Sequence, residues 1–70
     1  MKIRILKHEK DTDAIRIGGA FETNSLPKAA EKILHKYASI GITKHNYTEH
    51  WSRVAIVDAE TLAVKEVIFG

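Results

Sequence analysis

Leu26-Pro27-Lys28-Ala29-Ala30-Glu31-Lys32-Ile33-Leu34-His35-Lys36-Tyr37-Ala38-Ser39-Ile40-Gly41 is the stretch from which the rest of the chain can be read. Leu26, Ala29, Ala30, Ile33, Leu34, Tyr37 and Ala38 recur at steps of three and four residues, the spacing that gathers apolar side chains on one face of an α-helix. Asn24 or Ser25 can cap its start, and Pro27 falls in the first turn, where a missing N–H costs nothing. Gly41 can take the left-handed conformation that ends a helix, and Ile42 can make the apolar contact that accompanies it. The spacing predicts a helix from about 26 to 40.

Outward from the helix, the periodicity changes from helical to alternating. Lys2 to His8 places Ile3 and Ile5 on one side and Lys2, Arg4 and Leu6 on the other, as in a half-buried strand. The polar run Glu9-Lys10-Asp11-Thr12-Asp13 reads as a turn, and a second strand runs from Ala14 to about Phe21. Within it, Gly18-Gly19 signals a bulge, a bend or close approach by another backbone. On the far side of the helix, residues 42–51 are rich in β-branched and aromatic types but broken by charges, and read either as an edge strand or as a long loop. Ser52 to Val57 is a strand. Asp58-Ala59-Glu60-Thr61 is a turn whose Asp58 carboxylate can accept from a backbone N–H two or three residues on, and Leu62 to Phe69 is the last strand. The order is ββαββ, which predicts an α+β fold: a four-stranded antiparallel sheet with one amphipathic helix packed on one face. Residues 1–70 form a single domain in this reading.

Composition narrows the function classes. A chain of 70 residues buries only a thin core, so its stability is marginal. With no cysteine, disulfides, thiolate zinc sites and cysteine nucleophiles are excluded. Charges interrupt Met1–Lys7 before an apolar run of signal-peptide length, and no stretch is apolar enough to span a membrane. The expected compartment is the cytoplasm, with no membrane partner. A net charge of +2 does not by itself imply nucleic acid.

The last hairpin carries apolar residues on both of its faces. Strict alternation puts Trp51, Ala55 and Val57 opposite Val54 and Ile56, and Leu62, Val64 and Ile68 opposite Ala63, Val67 and Phe69. One short helix covers one face of a sheet. Either segment 42–51 folds over the other face, or that face meets a partner, a second copy of the chain included.

Two clusters offer binding chemistry. Lys28, Lys32 and Lys36 form a row along the helix, beside His35 and Glu31, suited to phosphates or an acidic protein patch, or else simply a solvated face. Lys44, His45, Asn46, Tyr47, His50, Trp51 and Arg53 mix aromatics with cations, as single-strand nucleic-acid sites and protein-binding hot spots both do; Trp51 equally suits a core position. The histidines, His8, His35, His45 and His50, lack metal-ligand spacing, so no metal or cofactor is expected. Hydrolytic triads, phosphate loops and paired-carboxylate motifs are missing, and the chain reads as no enzyme.

The element order, the size, the missing cysteines and the helix start Pro27-Lys28-Ala29-Ala30 resemble small phage-encoded inhibitors of bacterial defence, including anti-CRISPR proteins with two hairpins around one helix. That resemblance implies a stoichiometric inhibitor of a host defence complex. The leading expectation is a non-enzymatic protein-binding module using the open sheet face and segment 42–53, with Tyr47, Trp51 and Arg53 as anchors. The second is a nucleic-acid-binding module using Lys28, Lys32, Lys36, Lys44 and Arg53 around the same aromatics.

Overall fold

A computed structural model describes residues 1–12 and 14–70. Its elements are β1 (Lys2–Glu9), β2 (Ile15–Ile17), β3 (Phe21–Glu22), α1 (Leu26–Ser39), a 3₁₀ turn (Tyr47–Glu49), β4 (Trp51–Asp58) and β5 (Val64–Phe69). The sheet is antiparallel with order β2-β1-β4-β5, and β3 also pairs with β1. The ββαββ layout holds, with one correction. The expected strand from Ala14 to Phe21 is broken at Gly18-Gly19-Ala20 into β2 and β3, which pair with the two halves of β1, so the sheet has five strands rather than four. Within the expected turn, Asp13 lies outside the described residues, and Glu9 belongs to β1, its N–H donating to Ala14 O.

The helix starts where its signals place it. Ser25 is the cap, its Oγ accepting from the Lys28 N–H, and Pro27 sits in the first turn. It ends at Ser39, one residue short of the expected 40, because Ile40 is already the C-cap; Gly41 follows at φ 82°. Ala29 and Ile33 are buried against Ile3 and Ile56, with Leu26, Ala30, Tyr37, Ile5 and Ile68 around them. Leu34 and Ala38, at the flank of the predicted stripe, stay exposed.

Segment 42–51 is a loop with a 3₁₀ turn up to His50, and β4 begins at Trp51. Asn46 explains why the segment does not extend into a strand. Its Oδ1 accepts from the Thr43 N–H and its Nδ2 donates to Gly41 O, which uses locally the backbone groups a sheet would need. Ile42 is buried with Val54 and Phe69 on the helix side, so this segment does not fold over the opposite face.

Bulges redistribute the last hairpin's side chains. A register shift between His8 and Glu9 opposite β4 pairs Glu9 with Trp51 and His8 with Arg53. Trp51 is thereby turned to the helix side beside Val54, not to the side of Ala55 and Val57 as alternation predicted. In β5, shifts leave Lys65 and Ile68 unpaired, so Val64 and Val67 stand on one face opposite Val57 and Ala55, while Ile68 and Phe69 both pack on the helix side. The last strand starts at Val64 rather than Leu62, because Leu62 adopts a left-handed backbone at φ 63° in the turn.

That turn is held as its sequence implies. Asp58 Oδ1 accepts from the N–H groups of Glu60 and Thr61, each at 2.9 Å. Backbone hydrogen bonds from Thr61 and then Glu60 hold the carboxyl below its ordinary value. A lowered folded value means that the contribution is complete above the unfolded value of about 3.9 and is lost as pH falls through the folded one. Asp58→Asn keeps an acceptor but removes the titration. Denaturation midpoints measured over a pH series are expected to fall less steeply below about pH 4 in this variant, and an unchanged acid limb would contradict the assignment.

Candidate functional site

The molecule is a slab of 30 × 26 × 16 Å, the thickness of one helix layer on one sheet layer. One broad face of the sheet therefore has nothing packed on it. Cross-strand partners point to the same side, so the pairings place Ile17, Leu6, Ala55 and Val67 in one row across that face, with Val57 and Val64 in the next. Ala55 and Val57, in the central strand, are 0% exposed, whereas Ile15, Ile17, Val64 and Val67 are 50%, 47%, 52% and 45% exposed. The larger neighbours shield the middle and stay wet themselves. The result is an apolar face whose exposed side chains stand on the outer strands β2 and β5, with a buried floor between them.

Two arginines and a histidine border this surface. Arg4 crosses one end, its Nε donating to Ala59 O at 3.0 Å and its Nη1 to Gly18 O at 3.1 Å, which fixes the turn after β4 to the break between β2 and β3. His8 and Arg53 form a cross-strand pair at the other end, beside Ile15. Glu22, paired with Lys2 at a corner, is engaged by the Met1 ammonium at 3.3 Å.

The sheet edges are poor templates for pairing. β2 and β3 have three and two residues, and β5 carries two register shifts and a charged bulge at Lys65. Short strands, bulges and edge charges are the ordinary means of preventing edge-to-edge association. The face is apolar while the edges are blunted.

The aromatic cluster expected at residues 44–53 divides between two surfaces. Tyr47 stacks on Phe69 (centroids 4.9 Å apart, planes at 9°), and Trp51 meets Tyr37 edge-on at 5.3 Å with Lys7 Nζ 5.3 Å above its ring. Both are half-buried on the helix side. Burial raises the Tyr37 phenol above its usual value. Arg53 points the other way, onto the open face, and Lys44 and His45 lie exposed in the loop. Lys28, Lys32 and Lys36 line the flank of the helix nearest β3 and the Gly18-Gly19 break, across the helix from the Tyr47–Phe69 stack on β5.

Sequence reasoning did not name the residues that build the open face, namely Leu6, Ile15, Ile17, Val64 and Val67, as a site. The excess of apolar residues signalled such a surface, but its membership depends on the bulges. Among the described residues, no three His, Asp or Glu side chains gather as a metal site, and no helix is long and apolar enough to cross a membrane. Comparison with protein families, with curated proteins and with solved structures finds no match to this chain.

Proposed function

We propose that this chain is a non-enzymatic protein–protein interaction module that acts in the cytoplasm and docks through the open sheet face. The observation that carries this reading is the half-exposed set Ile15, Ile17, Val64 and Val67 around the closed floor of Leu6, Ala55 and Val57. The molecule's broad side, 30 × 26 Å, is large enough for a standard interface, roughly 800 Å² per partner. Its border of Arg4 and Arg53 selects a protein whose contact surface is apolar at the centre and acidic at the rim. That border disfavours a second copy, which would bring like charges together. A stoichiometric inhibitor of a host defence complex is the form of such a module that the element order resembles.

The test compares the wild-type chain with Val64→Glu/Val67→Glu, two exposed positions where added charge leaves the core intact. Partners captured from nuclease-treated lysate by the wild-type chain are identified, purified and titrated against both proteins. The expected outcome is a monomeric wild-type protein whose purified partner binds the double variant at least about tenfold more weakly. Equal binding by the double variant would overturn the reading. So would a concentration-dependent dimer abolished by the same substitutions, or capture that nuclease removes.

A further inference from the structure

On the other side of the sheet, a groove runs between α1 and the strip formed by β3 and the Gly18-Gly19 break before it. Two adjoining stretches of about 560 and 360 Å³ share Phe21, Lys32 and Ile33 as lining. Lys28, Lys32 and Lys36 form its helical wall at steps of about 6 Å. Ile5, Phe21 and Ile33 make the floor apolar, and Gly18 and Gly19 form the far side.

The glycines are not required by the fold. Neither has a left-handed φ; a Cβ at Gly19 would meet nothing within 4 Å, and one at Gly18 would meet only Ile5 O at an ordinary 3.6 Å. Glycine in an extended segment loses backbone entropy on folding without a side chain to pack. Both line the groove and place no side chain along it. They also leave backbone unused: among the described residues, the N–H and C=O groups of Gly19 and Ala20 make no hydrogen bond within the chain.

The charges are similarly unspent. Among the described residues, none of Lys28, Lys32 and Lys36 is in an ion pair, and the Glu22 carboxylate is held by the Met1 ammonium. Glu31 borders Lys28 and Lys32 on the outer side of the helix, beside His35.

We propose that this groove binds an extended peptide segment in which acidic residues alternate with aliphatic ones. Alternate side chains of an extended strand repeat every 6–7 Å or so, close to the rise between successive lysines, so carboxylates two residues apart meet Lys28, Lys32 and Lys36 in turn. The intervening aliphatic side chains enter the floor at Ile5, Phe21 and Ile33. The peptide's own N–H and C=O groups hydrogen-bond locally to those of Gly19 and Ala20, without adding a strand to the sheet edge. A phosphodiester chain offers acceptors only, and the groove presents a single aromatic ring, Phe21, for base stacking. Both facts favour a peptide over single-stranded nucleic acid. The proposal is independent of the open-face reading, since the two surfaces lie on opposite sides of the sheet.

The test uses the full chain and a fluorescein-labelled peptide of alternating Asp and Val, with alternating Lys and Val and an oligothymidylate of equal charge as competitors. Saturable binding of the acidic peptide at micromolar protein is expected, with neither competitor displacing it. Lys28→Glu/Lys32→Glu/Lys36→Glu should weaken binding by at least about tenfold. Gly19→Phe should do the same with an unchanged circular dichroism spectrum and melting temperature, because it fills the groove from an unstrained position. Val64→Glu/Val67→Glu should retain full peptide binding. Absent binding, undiminished binding in Gly19→Phe, or displacement by oligothymidylate would overturn the proposal.

Discussion

Ile56→Ala is expected to remove about 2–5 kcal/mol of folding stability, a large share of what a chain this small has. Ile56 is 0% exposed at the centre of the sheet and packs against Ile3, Ala29 and Ile33, the contacts by which the helix is held to the strands. Removing its side chain forfeits both the burial and the surrounding contacts, because a core this thin has no second layer to collapse into the space. A chain of this length commands on the order of 4–10 kcal/mol in total, so one such truncation consumes a large share. Urea denaturation checks it: the midpoint should drop sharply at an unchanged m value. A loss below about 1 kcal/mol would mean that the helix is not anchored through Ile56. Val67→Ala, at a half-exposed site on the open face, is the contrasting control and should cost less than about 1 kcal/mol.

The contrast between these positions reflects what was legible in the sequence. The helix could be read nearly to the residue, because its period and both caps are local signals, and Ile3 and Ile5 alternate without interruption. The sides taken by Trp51, Val64 and Ile68 could not be read. A bulge inserts one residue on one strand only, and alternation counted along a single strand carries no trace of its partner. The strand between Ala14 and Phe21 failed for a related reason: Gly18-Gly19 announced an irregularity but not that β1 would pair with segments on either side of it. The lysine row was equally plain in the helix periodicity. The groove beside it was not, because it exists only where the helix lies over the β1–β4–β5 part of the sheet and leaves the β2–β3 strip uncovered. Local chemistry was therefore visible in the chain, whereas surfaces made by placement were not.

Phe69→Ala should be as damaging as Ile56→Ala, at about 3–5 kcal/mol, and it decides what Tyr47 and Trp51 are for. Phe69 is 3% exposed and lies between Tyr47, stacked at 4.9 Å, and Tyr37, tilted at 5.8 Å, with Tyr37 in turn against Trp51. These rings close the end of the core beyond the helix, where Ile42 and Val54 are the other buried members. If Tyr47 serves packing, Tyr47→Ala must lose stability, and the double variant with Phe69→Ala must lose less than the sum of the two. Aromatic pairs in this geometry couple by about 0.5–1.5 kcal/mol beyond their buried area. A double-mutant cycle in urea reads that coupling directly. Zero coupling, together with a Tyr47→Ala protein of wild-type stability, would return Tyr47 to the exposed anchor role its loop position suggested. Measurable coupling instead assigns segment 42–51 to closing the core on the helix side. The open face is then bordered on that side of the hairpin by Arg53 alone among the aromatic and cationic residues of the cluster, so the docking proposed for it would rest on Val64, Val67, Ile15 and Ile17 together with Arg4 and Arg53.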